Sequence, residues 1–194
     1  MQLRPRDNRD DRAAVAGGDA EGSAVFWQSV YVGVGSNLDD PTLQVRRALQ
    51  NLAQLPATRL VRQSALYGSR PWGFAQQPDF VNAVAALLTQ VPVREFFEAL
   101  QTLQTRLGRV PPAVRYGPRR IDLDLLLYGQ IRLQTPELTL PHPGVVTRNF
   151  VLYPLFEVAP DLRIPGGLRV AELLRRVDCA GLWRLDHQPI THDA

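Results

Sequence analysis

Asp122 and Asp124 stand two positions apart in an otherwise apolar run, Ile121-Asp122-Leu123-Asp124-Leu125-Leu126-Leu127-Tyr128. Such alternation predicts a strand with Ile121, Leu123, Leu125 and Leu127 on one face and both carboxylates on the other, their Cα atoms about 6–7 Å apart. Carboxylates at that spacing suit magnesium, and two ions about 3.5–4 Å apart can be bridged or flanked by the pair. Acids on a strand face also serve simply to discourage edge pairing, so the aspartates do not decide alone. Their neighbours carry more weight: five arginines (106, 109, 115, 119 and 120) and no acid occupy the Gly- and Pro-rich stretch from Arg106 to Arg120. Arg119 lies three residues before Asp122, and cations beside a metal spread the charge of a polyphosphate. The combination predicts magnesium-dependent transfer of a phosphoryl-containing group from a nucleotide.

Two further pairs repeat the two-residue spacing. Phe80 and Asn82 offer an aromatic face and a bidentate amide on one surface, with core packing as the competing reading of Phe80. Arg148 and Phe150 offer a cation and a second ring, and a flat heteroaromatic molecule could sit between two such rings.

These residues need a scaffold, and the hydrophobic periodicity supplies one. Ser29 to Gly35 alternates with Val30, Val32 and Val34 on one face and ends in the turn Gly35-Ser36-Asn37, as a strand does. Asp40-Pro41 provides an N-cap and a first-turn proline for a helix of about four turns carrying Val45, Ala48, Leu49 and Leu52. Strands are expected over Leu60–Tyr67 and Phe80–Leu88, joined by a long aromatic loop, Gly68 to Pro78, of the kind that serves function. A second helix runs from Pro92 through Phe96, Leu100, Leu103 and Leu107, with Gly108 at its C-cap. The aspartate strand follows, and a short helix is expected over Val170–Val177. The order strand, helix, strand, strand, helix, strand is that of an α+β, ferredoxin-like βαββαβ core. Both helices are then expected on one face of an antiparallel sheet, the other face is left for ligands, and a C-terminal extension follows the core.

Composition sets the outer bounds. The chain of 194 residues is 45% apolar, enough for one sizeable core. Its beginning lacks the hydrophobic stretch of a signal peptide, and no run reaches the roughly 18 apolar residues of a membrane span. A cytoplasmic protein with no membrane partner is expected. The single cysteine, Cys179, excludes an internal disulfide and is expected to be a partly buried small residue. All basic side chains counted toward the net charge of +3 are arginines. Residues 1–24 carry four arginines against five acids and show no amphipathic period, so they are read as a disordered tail. The expected organisation is a single catalytic domain over 25–178 and a C-terminal tail over 179–194, with His187 and His192 as exposed bystanders.

Several strings together carry a resemblance: Gly35-Ser36-Asn37, Gln77-Pro78-Asp79-Phe80-Val81-Asn82, Leu107-Gly108-Arg109, Gly117-Pro118-Arg119-Arg120-Ile121-Asp122-Leu123-Asp124, Pro141-His142 and Arg148-Asn149-Phe150-Val151-Leu152. From about Val30 to Pro165 the chain resembles the 6-hydroxymethyl-7,8-dihydropterin pyrophosphokinase family of folate biosynthesis. The resemblance implies transfer of the β,γ-pyrophosphoryl group of ATP to the hydroxymethyl oxygen of the dihydropterin, with release of AMP, by a protein acting as a monomer. It implies two magnesium ions on Asp122 and Asp124. It places the pterin between Phe80 and Phe150, read by Asn82 and flanked by the loop from Ser69 to Gly73 that contains Trp72. On the nucleotide side it implies Arg109, Arg119, His142 and Arg148 at the triphosphate, with Gln101, Leu125 and Thr139 also in contact. Gln104 departs from the glutamate usual in the family and Pro111 from an arginine, both on the nucleotide side, while Tyr116 stands where tryptophan is common.

Two other readings compete. A degenerate paralogue would bind ATP or pterin without turnover. A ferredoxin-like sheet with exposed aromatics and basic loops can also bind single-stranded RNA by stacking, but carboxylates on the ligand face would repel a phosphate backbone, and no nucleic-acid partner is expected.

Overall fold

The computed structural model describes residues 26–110 and 116–186. The tail expected over 1–24, Pro111, Arg115, His187 and His192 lie outside the described residues.

Strand β1 (Gln28–Ser36) points Val30, Val32 and Val34 into the core. Helix α1 (Pro41–Leu52) starts as its sequence dictates: Leu43 N donates to Asp40 Oδ1 at 3.1 Å, and Pro41 occupies the first turn. Its buried stripe is Val45, Ala48, Leu49 and Leu52.

The single strand expected over Leu60–Tyr67 is two, β2 (Thr58–Gln63) and β3 (Tyr67–Ser69). Both pair with β4 (Phe80–Thr89), and the break has a local cause. Ser64 donates its N–H to Val84 O and accepts Val84 N–H on its own Oγ, a side chain taking the place of a ladder carbonyl. The next amide, Ala65 N, leaves the ladder for Glu157 Oε1 at 3.0 Å.

Helix α2 (Val93–Arg106) buries Phe96, Leu100 and Leu103, and Gly108 follows at φ 84°, the left-handed conformation that ends helices. Strand β5 (Asp122–Tyr128) is followed by a small hairpin, β6 (Leu133–Gln134) with β7 (Thr139–Leu140), and a 3-10 turn at Pro143–Val146. Helices α3 (Asn149–Val158) and α4 (Val170–Leu174) come next, α4 stopping short of the expected Val177. The last strand, β8 (Leu182–Arg184), corrects the expectation of a tail beginning at residue 179.

The antiparallel sheet has the order β5-β1-β4-β3-β8, with β2 also on β4. Helices α1 and α2 cover one face, meeting Val81, Ala83, Ala85 and Leu87 of β4. The other face, expected to be left for ligands, is covered only in part, because α3 and α4 pack there against Val84 and Ala86. Apolar residues on both faces of β4 follow from this double cover. A second correction concerns β5, where Val32 pairs with Leu125 and Tyr31 with Leu127, leaving Leu126 as a bulge. The extra residue turns Leu127 away from Leu123 and Leu125, and Leu126 and Leu127 both enter the α3–α4 side of the core.

Asp40 caps α1 from a left-handed conformation, φ 57°. Asp40→Ala should destabilise the protein by about 1 kcal/mol and Asp40→Gly by only a few tenths, since glycine loses the cap but relieves the backbone. Urea unfolding of the two variants beside the natural chain measures the difference.

Candidate active site

The sheet face that α3 and α4 leave uncovered forms the floor of a cleft of about 250 Å³. Asp122 and Asp124 enter it from β5, Asn82 and Phe80 from β4, and Ser69 from β3. Arg109, Arg119, His142, Arg148, Trp72 and Phe150 complete the walls, so eleven of the fourteen residues expected at the site converge there. The other three do not line it. Leu125 points into the core, Gln101 is exposed on α2, and Thr139 is half-buried on β7.

At one end charge governs the arrangement. Asp122 Oδ2 lies 2.5 Å from Arg119 Nη1, and Oδ1 lies 2.8 Å from Arg109 Nη1 but off the line of any hydrogen-bond donor. Burial and then the charge of Asp122 push Asp124 up to about 7, against the opposing pull of Arg148, Arg119 and Arg109. Two crowded carboxylates, one with a buried oxygen lacking a directed donor, fit a hard divalent cation. Among the described residues no third acid, histidine or cysteine joins them. Magnesium is commonly held this way, by one or two carboxylates with water and substrate phosphates filling the remaining positions. Four guanidinium groups (Arg70, Arg109, Arg119, Arg148) against two carboxylates leave the cleft cationic, as a polyphosphate requires.

His142 is held through its backbone, its N–H donating to Leu126 O at the β5 bulge, 2.9 Å. Its Nδ1 accepts from Gly144 N at 3.0 Å, and burial, then Arg148, lower its pKa while Asp122 opposes them. The neutral ring with Nδ1 as acceptor carries its proton on Nε2.

The other end is aromatic. Arg148 lies over the Trp72 ring at 4.8 Å and the Phe150 ring at 5.8 Å, and Trp72 meets Tyr116 edge-on at 5.4 Å. Trp72 remains 51% exposed, leaving ring surface for a planar ligand. Asn82 Nδ2 donates to Ser69 Oγ at 2.9 Å, which fixes the amide plane.

Two positioning residues had no role assigned from sequence. Asn37 accepts from Arg119 N at 2.8 Å and donates to Gln77 Oε1 and Pro78 O at 3.0 Å each. Gln77 in turn donates to Phe74 O and Tyr116 O, so one buried amide ties the loop of Trp72 to the loop of Arg119. Motif strings signalled both residues, whereas their roles depend on loops remote in sequence. Gln104, expected to affect nucleoside contact, is 1% exposed. Its Oε1 accepts from Leu123 N at 2.8 Å and from Arg109 Nη1.

The chain matches the family model described as 7,8-dihydro-6-hydroxymethylpterin-pyrophosphokinase (HPPK) over residues 31–160. It is 48% identical over 158 residues to the 2-amino-4-hydroxy-6-hydroxymethyldihydropteridine pyrophosphokinase of Pseudomonas aeruginosa, covering 81% of this chain and 97% of that protein. A protein of the same name from Haemophilus influenzae is 41% identical over 148 residues, covering 76% and 92%. In fold the chain is similar to the wild-type HPPK-DHPS of Plasmodium falciparum, with TM-score 0.61 and 10% identity. That likeness covers 78% of this chain but only 45% of the solved one.

Removing the side chain of Asn37, 2% exposed, should cost roughly 1–3 kcal/mol through the polar groups left unpaired. Urea unfolding of Asn37→Ala tests it. Asp124 gives a signed pH dependence. Its folded-state pKa, about 7, stands above the ordinary 3.8, so the folded chain binds the proton more tightly and stability falls as pH rises between those values. In metal-free protein Asp124→Asn should raise the melting temperature by several degrees at pH 8 and far less near pH 4, as calorimetry would show.

Proposed function

Because the chain belongs to the 7,8-dihydro-6-hydroxymethylpterin-pyrophosphokinase family, we propose that it transfers pyrophosphate from ATP to 6-hydroxymethyl-7,8-dihydropterin in folate biosynthesis. The products are AMP and the dihydropterin pyrophosphate. The observation that carries this reading is the polarity of one cleft: paired carboxylates and arginines at one end, aromatic rings and a fixed amide at the other. A polyphosphate and a planar heterocycle have complementary places in it, a few side chains apart.

Asp122 and Asp124 would hold two magnesium ions, which when bound supply Lewis-acid neutralisation of the phosphate oxygens. The chain's own residues do the positioning. Arg109, Arg119 and Arg148 meet the triphosphate, and His142 offers a neutral Nε2 donor to a phosphate oxygen. Phe80 and Phe150 flank the pterin, with Trp72 and Ser69 beside it and Asn82 reading its edge. The nucleoside would extend past the cleft toward Gln101 and Thr139, and any contact by Leu125 is confined to its backbone because its side chain is buried. In-line displacement at the β-phosphorus asks little covalent chemistry of the protein, so alignment and charge supply most of the acceleration.

The strand and helix order through β5 supports a ferredoxin-like core with a C-terminal extension; that the chain is a single catalytic domain acting as a monomer is part of the same proposal. A cytoplasmic location accords with the absence, among the described residues, of a helix long and apolar enough to cross a membrane. Gln104 and Pro111 together motivated the non-catalytic reading; Pro111 lies outside the described residues, while the bonds of Gln104 to Arg109 and β5 support an assembled site rather than a decayed one.

AMP formation from ATP should require both the dihydropterin and magnesium, and should stop on chelation. Asp122→Ala and Asp124→Ala should each lower kcat at least about 100-fold. Pterin-independent AMP, or full activity in either variant, would overturn the assignment.

A further inference from the structure

The family match ends at residue 160, yet the chain returns to the site after it. Strand β8 pairs with β3 so that Leu182 faces Ser69, Trp183 faces Gly68 and Arg184 faces Tyr67. The indole of Trp183 takes the space a side chain at residue 68 would fill: a Cβ on Gly68 would lie 2.2 Å from Trp183 Cε2. Glycine at 68 and tryptophan at 183 therefore form a matched pair, since real atoms do not approach so closely.

Backbone contacts extend the clasp on both sides. Leu185 N donates to Leu66 O and Arg70 N donates to Gly181 O, each at 2.9 Å, which fixes the start of the loop bearing Trp72. On the opposite wall, Asn149 Nδ2 donates to Asp178 O at 3.2 Å and to Ala180 O at 3.0 Å. Asn149 stands between Arg148 and Phe150 at the head of α3. One short segment thus ties the base of the Trp72 loop to the helix end that carries the facing ring, and Ser69 passes its position on to Asn82. None of these contacts touches Asp122, Arg109 or Arg119.

We infer that residues 178–185 are a positioning element for the heteroaromatic half of the cleft, with Trp183, which acts through β3, as its principal side chain and pterin binding, far more than nucleotide binding, as what it governs. The inference rests on the function proposed above. Its mechanism is geometric: a loosened β3 or α3 end displaces Asn82 and Phe150 relative to each other, and placement errors near 1 Å weaken a preorganised site substantially.

The test uses the full chain and two readouts, steady-state AMP formation and fluorescence titration with 6-hydroxymethylpterin. Trp183→Ala should raise KM for the dihydropterin and the pterin Kd about tenfold, with KM for ATP within about twofold, and Trp183→Phe should restore most of the loss. Gly68→Ala should reproduce the defect in the natural background, because its Cβ displaces the indole. Added to Trp183→Ala it should cause no further loss, because the clash is gone. Unaltered pterin affinity in folded Trp183→Ala, equal rises in both KM values, or additive defects in the double variant would overturn the inference. If the natural chain releases no AMP but binds pterin, the proposed reaction fails and the titration alone still decides the positioning role. If it does neither, both fail.

Discussion

Asp122 and Asp124 repel one another across a strand spacing that brings both into a half-buried cleft, and much of the site is arranged around that repulsion. Carboxylates this close in a medium poorer in water than bulk cannot both ionise without compensation. The structure compensates one of them: Arg109 and Arg119 converge on Asp122. Asp124 receives only the longer-range pull of the same arginines and of Arg148, and its pKa rises. A divalent cation would supply the missing charge. The cations that now neutralise Asp122 are those a polyphosphate would recruit, so metal and nucleotide have reason to arrive together, each relieving an imbalance the other would leave.

The constraint propagates into the scaffold. Arg119 can face Asp122 only if its loop is held, and Asn37, in the turn after β1, holds it through the Arg119 N–H while grasping Gln77 with its amide nitrogen. Arg109 can face Asp122 only if the end of α2 is fixed near the start of β5, which Gln104 does by bonding both at once. The bulge at Leu126 serves the third cationic partner indirectly. It turns β5 so that Leu126 O meets His142 N, seating the 3-10 turn that leads into Arg148. Each is a buried polar contact between segments far apart in sequence, and such contacts specify one arrangement because leaving them unmade is costly.

This explains what could be read in the sequence. Periodicity and caps reported β1, α1, α2 and β4 because the information there is local: alternating valines, Asp40-Pro41 at a helix start, Gly108 at a helix end. The two-residue spacing placed Asp122 with Asp124 and Phe80 with Asn82 for the same reason. The break between β2 and β3 was hidden, since Ser64 interrupts the strand through an oxygen that reaches β4 and through an amide that seeks Glu157. The bulge was hidden because Leu125-Leu126-Leu127 is apolar throughout and either face accepts any of the three. Of the second helical layer only α4 was expected; α3 went unread because, with Pro154 inside it, it reads as an apolar run with no clear period. Strand β8 is three residues long and finds its partner about 115 residues away, beyond the reach of any local pattern.

Gln104 shows how a departure from a family pattern can be read by its contacts. A glutamate there would accept the same two bonds, from Leu123 N and from Arg109, with a full negative charge on the second. It would then compete with Asp122 for Arg109. The neutral amide keeps the geometry and lowers that competition, leaving the guanidinium's charge directed at the cleft. Its Nε2 also reaches Gln101 Oε1 at 3.2 Å, a contact a carboxylate would lose for want of a proton. The substitution thus removes a buried charge from beneath a site that already carries two like charges, while preserving the hydrogen bonds that align Arg109 with β5.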